Sequence, residues 1–158
     1  STDMWCKEVP DYWLISIMTA CQKHPDNIYL FQSKNPDRFL EWESTFYPPK
    51  TILATTIETN RVCTETLKVP STFTRKEAMQ RIKMSKTVTI EPIMDFDLPI
   101  MIRWIAEIQP EFVSIGADSG NHHLPEPTGD KIRALIVGLK PITQVIQKDN
   151  LKRLLGER

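Results

Sequence analysis

No Gly-x-Gly-x-x-Gly and no Walker-type Gly-rich loop occurs in the chain, which argues against a dinucleotide-binding or P-loop domain. Cysteine is scarce. Cys6, Cys21 and Cys63 lie 15 and 42 residues apart, with no C-x-x-C pair, so neither a disulfide framework nor a thiolate metal site is expected. Charge of one sign is also missing, because twenty basic and twenty acidic residues cancel. A duplex-binding surface usually carries a basic excess, so nucleic-acid binding is not supported. Apolar runs stop far short of the ~18–20 residues that span a bilayer, so no membrane partner is expected. The first residues lack the basic start and apolar core of a signal peptide, and with reduced thiols this makes the cytoplasm the expected compartment. What remains is an ordinary globular composition, 41% apolar and 25% charged in 158 residues, enough for a single domain.

The positive signal is alternation. Pro10–His24 predicts a helix with Trp13, Ile17 and Ala20 on its inner face, and Asn27–Gln32 a short buried strand. Pro36–Trp42 reads as a helix start, Tyr47-Pro48-Pro49 as a stiff connector, and the β-branched run from Thr51 as a strand. A polar loop over 60–73 precedes a capping box at Thr74–Glu77 and a helix to about Lys83. Strands at 87–91, 112–116 and 142–146 then alternate with helices from Asp97 to Ile108, facing Ile102, Ile105 and Ile108 inward, and from Gly129 to Leu139, with a last turn at 150–155. Strand–helix alternation of this kind predicts right-handed βαβ units: an α/β fold with about five parallel strands and helices on the outer face.

In such folds ligands sit beyond the carboxyl ends of the strands. Here those ends are polar: Gln32–Asn35, Thr55–Glu58, Glu91-Pro92 and Gly116–Gly120. Glu58 and Glu91 each follow a β-branched strand, where a carboxylate needs a partner or a ligand, and the two form a candidate general acid/base pair or acceptors for a nucleoside. His122-His123 has no second cluster of Cys or His and reads as a solvated loop pair.

Ser1–Met4 with Val9–Trp13, Phe31–Phe39, Thr55–Glu58, Thr89–Asp97, Ile115–Gly120 and Lys148–Leu151 together resemble, in order along nearly the whole chain, a family of uncharacterised phage and bacterial proteins. That family is similar to spore photoproduct lyase within the radical S-adenosylmethionine superfamily. The resemblance implies a partial (β/α)6 TIM-like barrel. It further implies that Ser1, Thr2 and Asp3 face the methionine amino group of the cofactor, that Thr56 and Glu58 contact the ribose, and that Glu91, Gly116 and Asp118 line the end near the adenine. Lys34 would meet a carboxylate of cofactor or substrate.

The family's three-cysteine cluster loop has no counterpart here. The resemblance therefore implies the C-terminal part of a longer enzyme of unknown substrate, inactive alone, with S-adenosylmethionine and a 4Fe–4S cluster belonging to the full-length parent and no cofactor expected on this chain. The missing N-terminal portion of the barrel is then one partner. Self-association through an open sheet edge is another expectation. The alternatives are a metal-independent hydrolase or lyase using Glu58 and Glu91, and a non-catalytic binding module.

Overall fold

Short apolar and β-branched runs form five strands, in a computed structural model that describes residues 3–62, 69–120 and 122–157. They are β1 (Tyr29–Gln32), β2 (Thr51–Thr56), β3 (Lys86–Ile90), β4 (Phe112–Ile115) and β5 (Gln144–Gln147). All neighbours pair in parallel and the spatial order equals the chain order, β1-β2-β3-β4-β5. Each strand's successor is therefore its neighbour. With right-handed crossovers this order sends every connection over the same face.

The connections are helices α1 (Asp11–Gln22), which leads into β1, then α2 (Thr72–Arg81), α3 (Leu98–Ile108), α4 (Gly129–Leu139) and a terminal turn α5 (Lys152–Leu155). A 3-10 helix, Pro36–Glu41, takes the crossover after β1. It packs on α2, α2 on α3, and α3 on α4, so the helices form one continuous layer. The approach of α3 to α4 is close at Gly138, where a Cβ would come within 2.4 Å of Ile102 Cδ1.

Side chains alternate across the sheet, and the register sorts them. Phe31, Leu53, Val88, Ile90, Val113 and Ile115 point to the helices and are buried with Met101, Ile105, Ile132 and Leu135 in one core. The opposite face carries Gln32, Ala54, Thr56, Thr87, Thr89 and Ser114. Near the strand ends Thr56, Thr89, Ser114 and Ile146 make a row across four strands. Among the described residues no helix lies over this face.

Several local expectations shift. The inner face of α1 is Leu14 and Met18, while Trp13 is 52% and Ile17 37% exposed. Ala20 is exposed as well, and because the helix is apolar on most sides its sequence does not single out the buried stripe. Helix α2 starts earlier than expected, at Thr72, because Ser71 Oγ accepts from Thr74 N at 3.1 Å and caps it; Thr74 is not the cap. In place of the expected helix start over Pro36–Trp42 there is a 3-10 helix, Pro36–Glu41, since Arg38 N reaches back to Asn35 O. In α3 the buried face is Met101, Trp104, Ile105 and Ile108, with Ile102 at its margin. That helix stops at Gln109, whose φ of 57° breaks the helical course. No helix among the described residues is long and apolar enough to cross a membrane.

Candidate functional site at the strand ends

The N-terminal segment is tied to the end of β1. The Asp3 carboxylate accepts from Ser33 Oγ at 2.8 Å, Lys34 N at 2.9 Å and Trp5 N at 2.9 Å. Trp5 then fills the core, edge-on to Phe39 with ring centroids 4.8 Å apart. Asn35 Nδ2 donates to Trp5 O at 3.0 Å, and the buried Arg38 donates to Val9 O at 2.6 Å and Asp11 at 2.8 Å. Asp3 is not in a strand; its carboxylate is bonded to the residues that follow β1. Ser1 and Thr2 lie outside the described residues.

Glu58 lies two residues past the end of β2 and is 5% exposed. Its Oε1 meets Lys34 Nζ at 2.7 Å and its Oε2 meets Arg75 Nη1 at 3.0 Å. Burial raises the Glu58 carboxyl, but the charge of Arg75 and the hydrogen bond and charge of Lys34 outweigh it, holding the group below the ordinary glutamate range. Arg75, 1% exposed on the first turns of α2, also donates to Thr56 O at 2.5 Å and Pro70 O at 2.9 Å. One guanidinium therefore ties the end of β2 to the entry of the next helix. Thr56 itself turns to the uncovered face, where Gln32 Nε2 donates to its Oγ1 at 3.0 Å.

Between these groups and helix α3 opens a cavity of about 410 Å³. Charged Lys34, Glu58 and Arg75 and apolar Phe73, Trp104 and Met94 are among the residues that line it. Lys34 also borders a smaller cavity of about 270 Å³ with Asp3 and Lys7.

The chain leaving β3 runs across the strand ends. Ile93 N donates to Gly116 O at 2.8 Å and Met94 N to Glu58 O at 2.9 Å, which stitches residues 91–97 to the ends of β2 and β4. Asp95 at its middle pairs with Lys131 at 2.6 Å and with Arg61, and Arg61 also reaches Asp97 at 2.7 Å. The hydrogen bond from Lys131 holds Asp95 below the ordinary aspartate range, and that from Arg61 does the same for Asp97. Asn60 Oδ1 accepts from Asp97 N at 2.8 Å, while its buried Nδ2 has no partner among the described residues.

Glu91 faces a different set. It pairs with Lys148 and accepts from Asn150 Nδ2 at 2.9 Å. The carboxylate lies over Gly116, where a Cβ would come within 2.6 Å of Glu91 Oε1 and 3.0 Å of Asn150 Oδ1. Gly116 is glycine to admit Glu91. Asp118 serves its own loop: it accepts from Gly120 N at 2.9 Å and from His122 N, and meets His122 Nδ1 at 2.7 Å. The His122 contact keeps Asp118 below its ordinary range. With Glu126 and Arg153 it borders a separate cavity of about 590 Å³.

The described candidates lie at or just past the carboxyl ends of their strands, except Asp3, whose N-terminal segment is bonded to the end of β1, and they divide into three groups. Asp3, Lys34, Thr56 and Glu58 are linked at β1–β2, Glu91 and Gly116 at β3–β4, and Asp118 in the loop after β4. Glu58 and Glu91 occupy separate ion-pair networks and share no partner. Arg75, Arg61, Asp95, Lys148 and Asn150 were not anticipated. Arg75 had a signal, because it stands three and four residues before Ala78 and Met79, on the one apolar stripe that α2 possesses. No group of three or more His, Cys, Asp or Glu side chains that could hold a metal ion occurs among the described residues. No family model, no curated protein and no solved structure matches the chain.

Proposed function

We propose that this chain is the C-terminal part of a radical S-adenosylmethionine-type (β/α)6 barrel, working in the cytoplasm, whose uncovered sheet face holds the cofactor. One observation carries the reading: a sheet in strict chain order, with its helices on one face and small hydroxyl side chains on the other. That is the layout of a barrel wall whose inside is polar. β1 and β5 are the edge strands and pair with no further strand among the described residues, as the edges of a wall awaiting further strands or a second copy would be.

The residues present fit the organic cofactor and not its cluster. Thr56, Thr89 and Ser114 set hydroxyls in a row, a pattern suited to a ribose and amino acid, with Thr56 3% and Ser114 8% exposed. Lys34 Nζ is paired with Glu58 at the border of the cavity of about 410 Å³, so its spare donors are left for a carboxylate in that cavity and not for the cofactor. The space over Gly116 is taken by Glu91, so adenine contact would fall on Glu91 and Asn150 instead. Cys6, Cys21 and Cys63 are not spaced to hold an iron–sulfur cluster. When bound on a cluster supplied elsewhere, the cofactor brings radical chemistry through its reductive cleavage; this chain's part is to bind and orient it. A hydrolase or lyase on Glu58 and Glu91 has less support, since both carboxylates already hold cations and Glu58 is kept ionised.

S-adenosylhomocysteine needs no cluster and is the probe. Calorimetry should give saturable binding to the chain, weakened at least tenfold by Thr56→Val, and reconstitution with iron and sulfide should assemble no stoichiometric cluster. No saturable binding, or a full cluster on this chain, would overturn the reading.

A further inference from the structure

The cavity between Arg75 and α3 is not explained by a cofactor on the uncovered sheet face, because its lining includes helix residues from the opposite layer. Its chemistry is two-sided. On one side Glu58 faces two cations, Lys34 and Arg75, so one positive charge is left over. Donors are left over as well. Lys34 Nζ uses one of its three N–H groups on Glu58. Arg75 spends Nε and Nη1 on Pro70, Thr56 and Glu58, and its Nη2 has no hydrogen-bond partner among the described residues. Arg61, at the rim, is already balanced by Asp95 and Asp97. Part of the lining is aromatic. Phe73 and Trp104 both line the cavity with ring centroids 5.9 Å apart; Phe73 is 50% and Trp104 7% exposed, and Lys76 Nζ lies 5.7 Å from the Phe73 ring centroid.

We propose that this cavity binds a small planar aromatic carboxylate, with its acid group at Lys34 and Arg75 and its ring against Phe73 and Trp104. At about 410 Å³ it has the size of a small-molecule site. A carboxylate supplies two oxygens to these spare donors and the compensating charge. A flat ring suits the two aromatic walls through stacked or edge contacts. A neutral ligand of the same shape would leave the extra charge and the spare donors unmatched, which sets the selectivity.

The inference is independent of the cofactor reading and is tested without the cofactor. The probes are 2-naphthoate and its neutral isostere 2-naphthamide, followed by calorimetry and tryptophan fluorescence. Naphthoate should bind saturably and the amide at least tenfold more weakly. Phe73→Ala, at a half-exposed position that the core does not need, should weaken naphthoate at least tenfold, and Lys34→Gln should shrink the preference for acid over amide. S-adenosylhomocysteine should not displace naphthoate. Equal binding of acid and amide, no saturable binding, an unaffected Phe73→Ala variant, or displacement by S-adenosylhomocysteine would each overturn the proposal. Naphthoate binding without any S-adenosylhomocysteine binding would sink the cofactor reading alone.

Discussion

Glu58 and Glu91 look alike in the sequence, each a carboxylate just past a β-branched strand, and the fold treats them differently. Glu58 is 5% exposed and held by a guanidinium that is itself 1% exposed. Glu91 keeps contact with solvent and is held by Lys148, whose side chain is 43% exposed, and by Asn150. Both residues leave their strands onto the same end of the sheet. The difference is set by the neighbour in the next crossover: β2 leads into α2, which brings Arg75 back over the strand end, whereas β3 has beside it the end of β4 and the turn after β5. A buried charge is stable only with its partner in place, and an exposed one has water as a substitute. The Glu58 site is therefore a rigid structural junction that also borders a cavity, and the Glu91 site an adjustable one.

The sharpest way to break this contrast is to remove one cation from each. Arg75→Met strips Glu58 of its buried partner, leaves it to Lys34, and frees Thr56 O and Pro70 O of their donor. The cost should be about 3–5 kcal/mol of unfolding free energy, read by urea denaturation. The same junction predicts a pH dependence. A carboxyl whose folded pKa lies below its unfolded one contributes stability that is fully present above the unfolded value and is lost as pH falls through the folded value. Glu58 is held below the ordinary glutamate range, so its contribution should persist at neutral pH and fade below about pH 4.3. Glu58→Gln should flatten that acid limb. An equally steep limb in the variant would assign the loss to other carboxylates.

A smaller effect tests how tightly Glu91 is seated. In Gly116→Ala the new methyl would meet the Glu91 carboxylate at 2.6 Å, and overpacking of this kind costs about 1–3 kcal/mol. Because the clash is with the end of a side chain, Glu91→Ala in the same molecule should relieve most of it. A double-mutant cycle with no coupling would mean that Gly116 is required for its backbone and not for Glu91.

Strand order and helix positions were legible because they depend on local signals: β-branched runs, caps and an alternation that only a parallel sheet accommodates. So was the placing of Lys34, Glu58 and Glu91 at strand ends, since strand direction alone fixes it. What could not be read is which distant side chains meet them. Arg75 and Lys148 lie 17 and 57 residues away from their carboxylates. Their pairing depends on the angle at which each crossover returns. The Trp13/Ile17 face failed for a related reason. Apolar residues at 14, 15, 17 and 18 give α1 more than one stripe to offer, and only the position of Trp5 and the neighbouring helix decides for Leu14 and Met18. Charged residues on the buried side of α2 hid the remaining signal, because Arg75 and Lys76 read as solvent-facing.

The smallest effect completes the comparison with Arg75→Met. Lys148→Met removes the cation from Glu91 but leaves the Asn150 hydrogen bond at 2.9 Å and access to water. Half-exposed ion pairs gain little, because solvent screens the attraction and ordering a long side chain costs entropy. The variant should therefore lose less than about 1 kcal/mol, and the loss should shrink further at 1 M salt, where the screening length falls to about 3 Å. Arg75→Met should keep most of its cost in the same salt, since a buried pair is screened far less. The ratio between the two substitutions, measured at low and high salt in one set of denaturation curves, is the decisive quantity. Losses of equal size with equal salt dependence would mean that burial does not distinguish the two carboxylates, and the division of the strand ends into a rigid and an adjustable half would have to be given up.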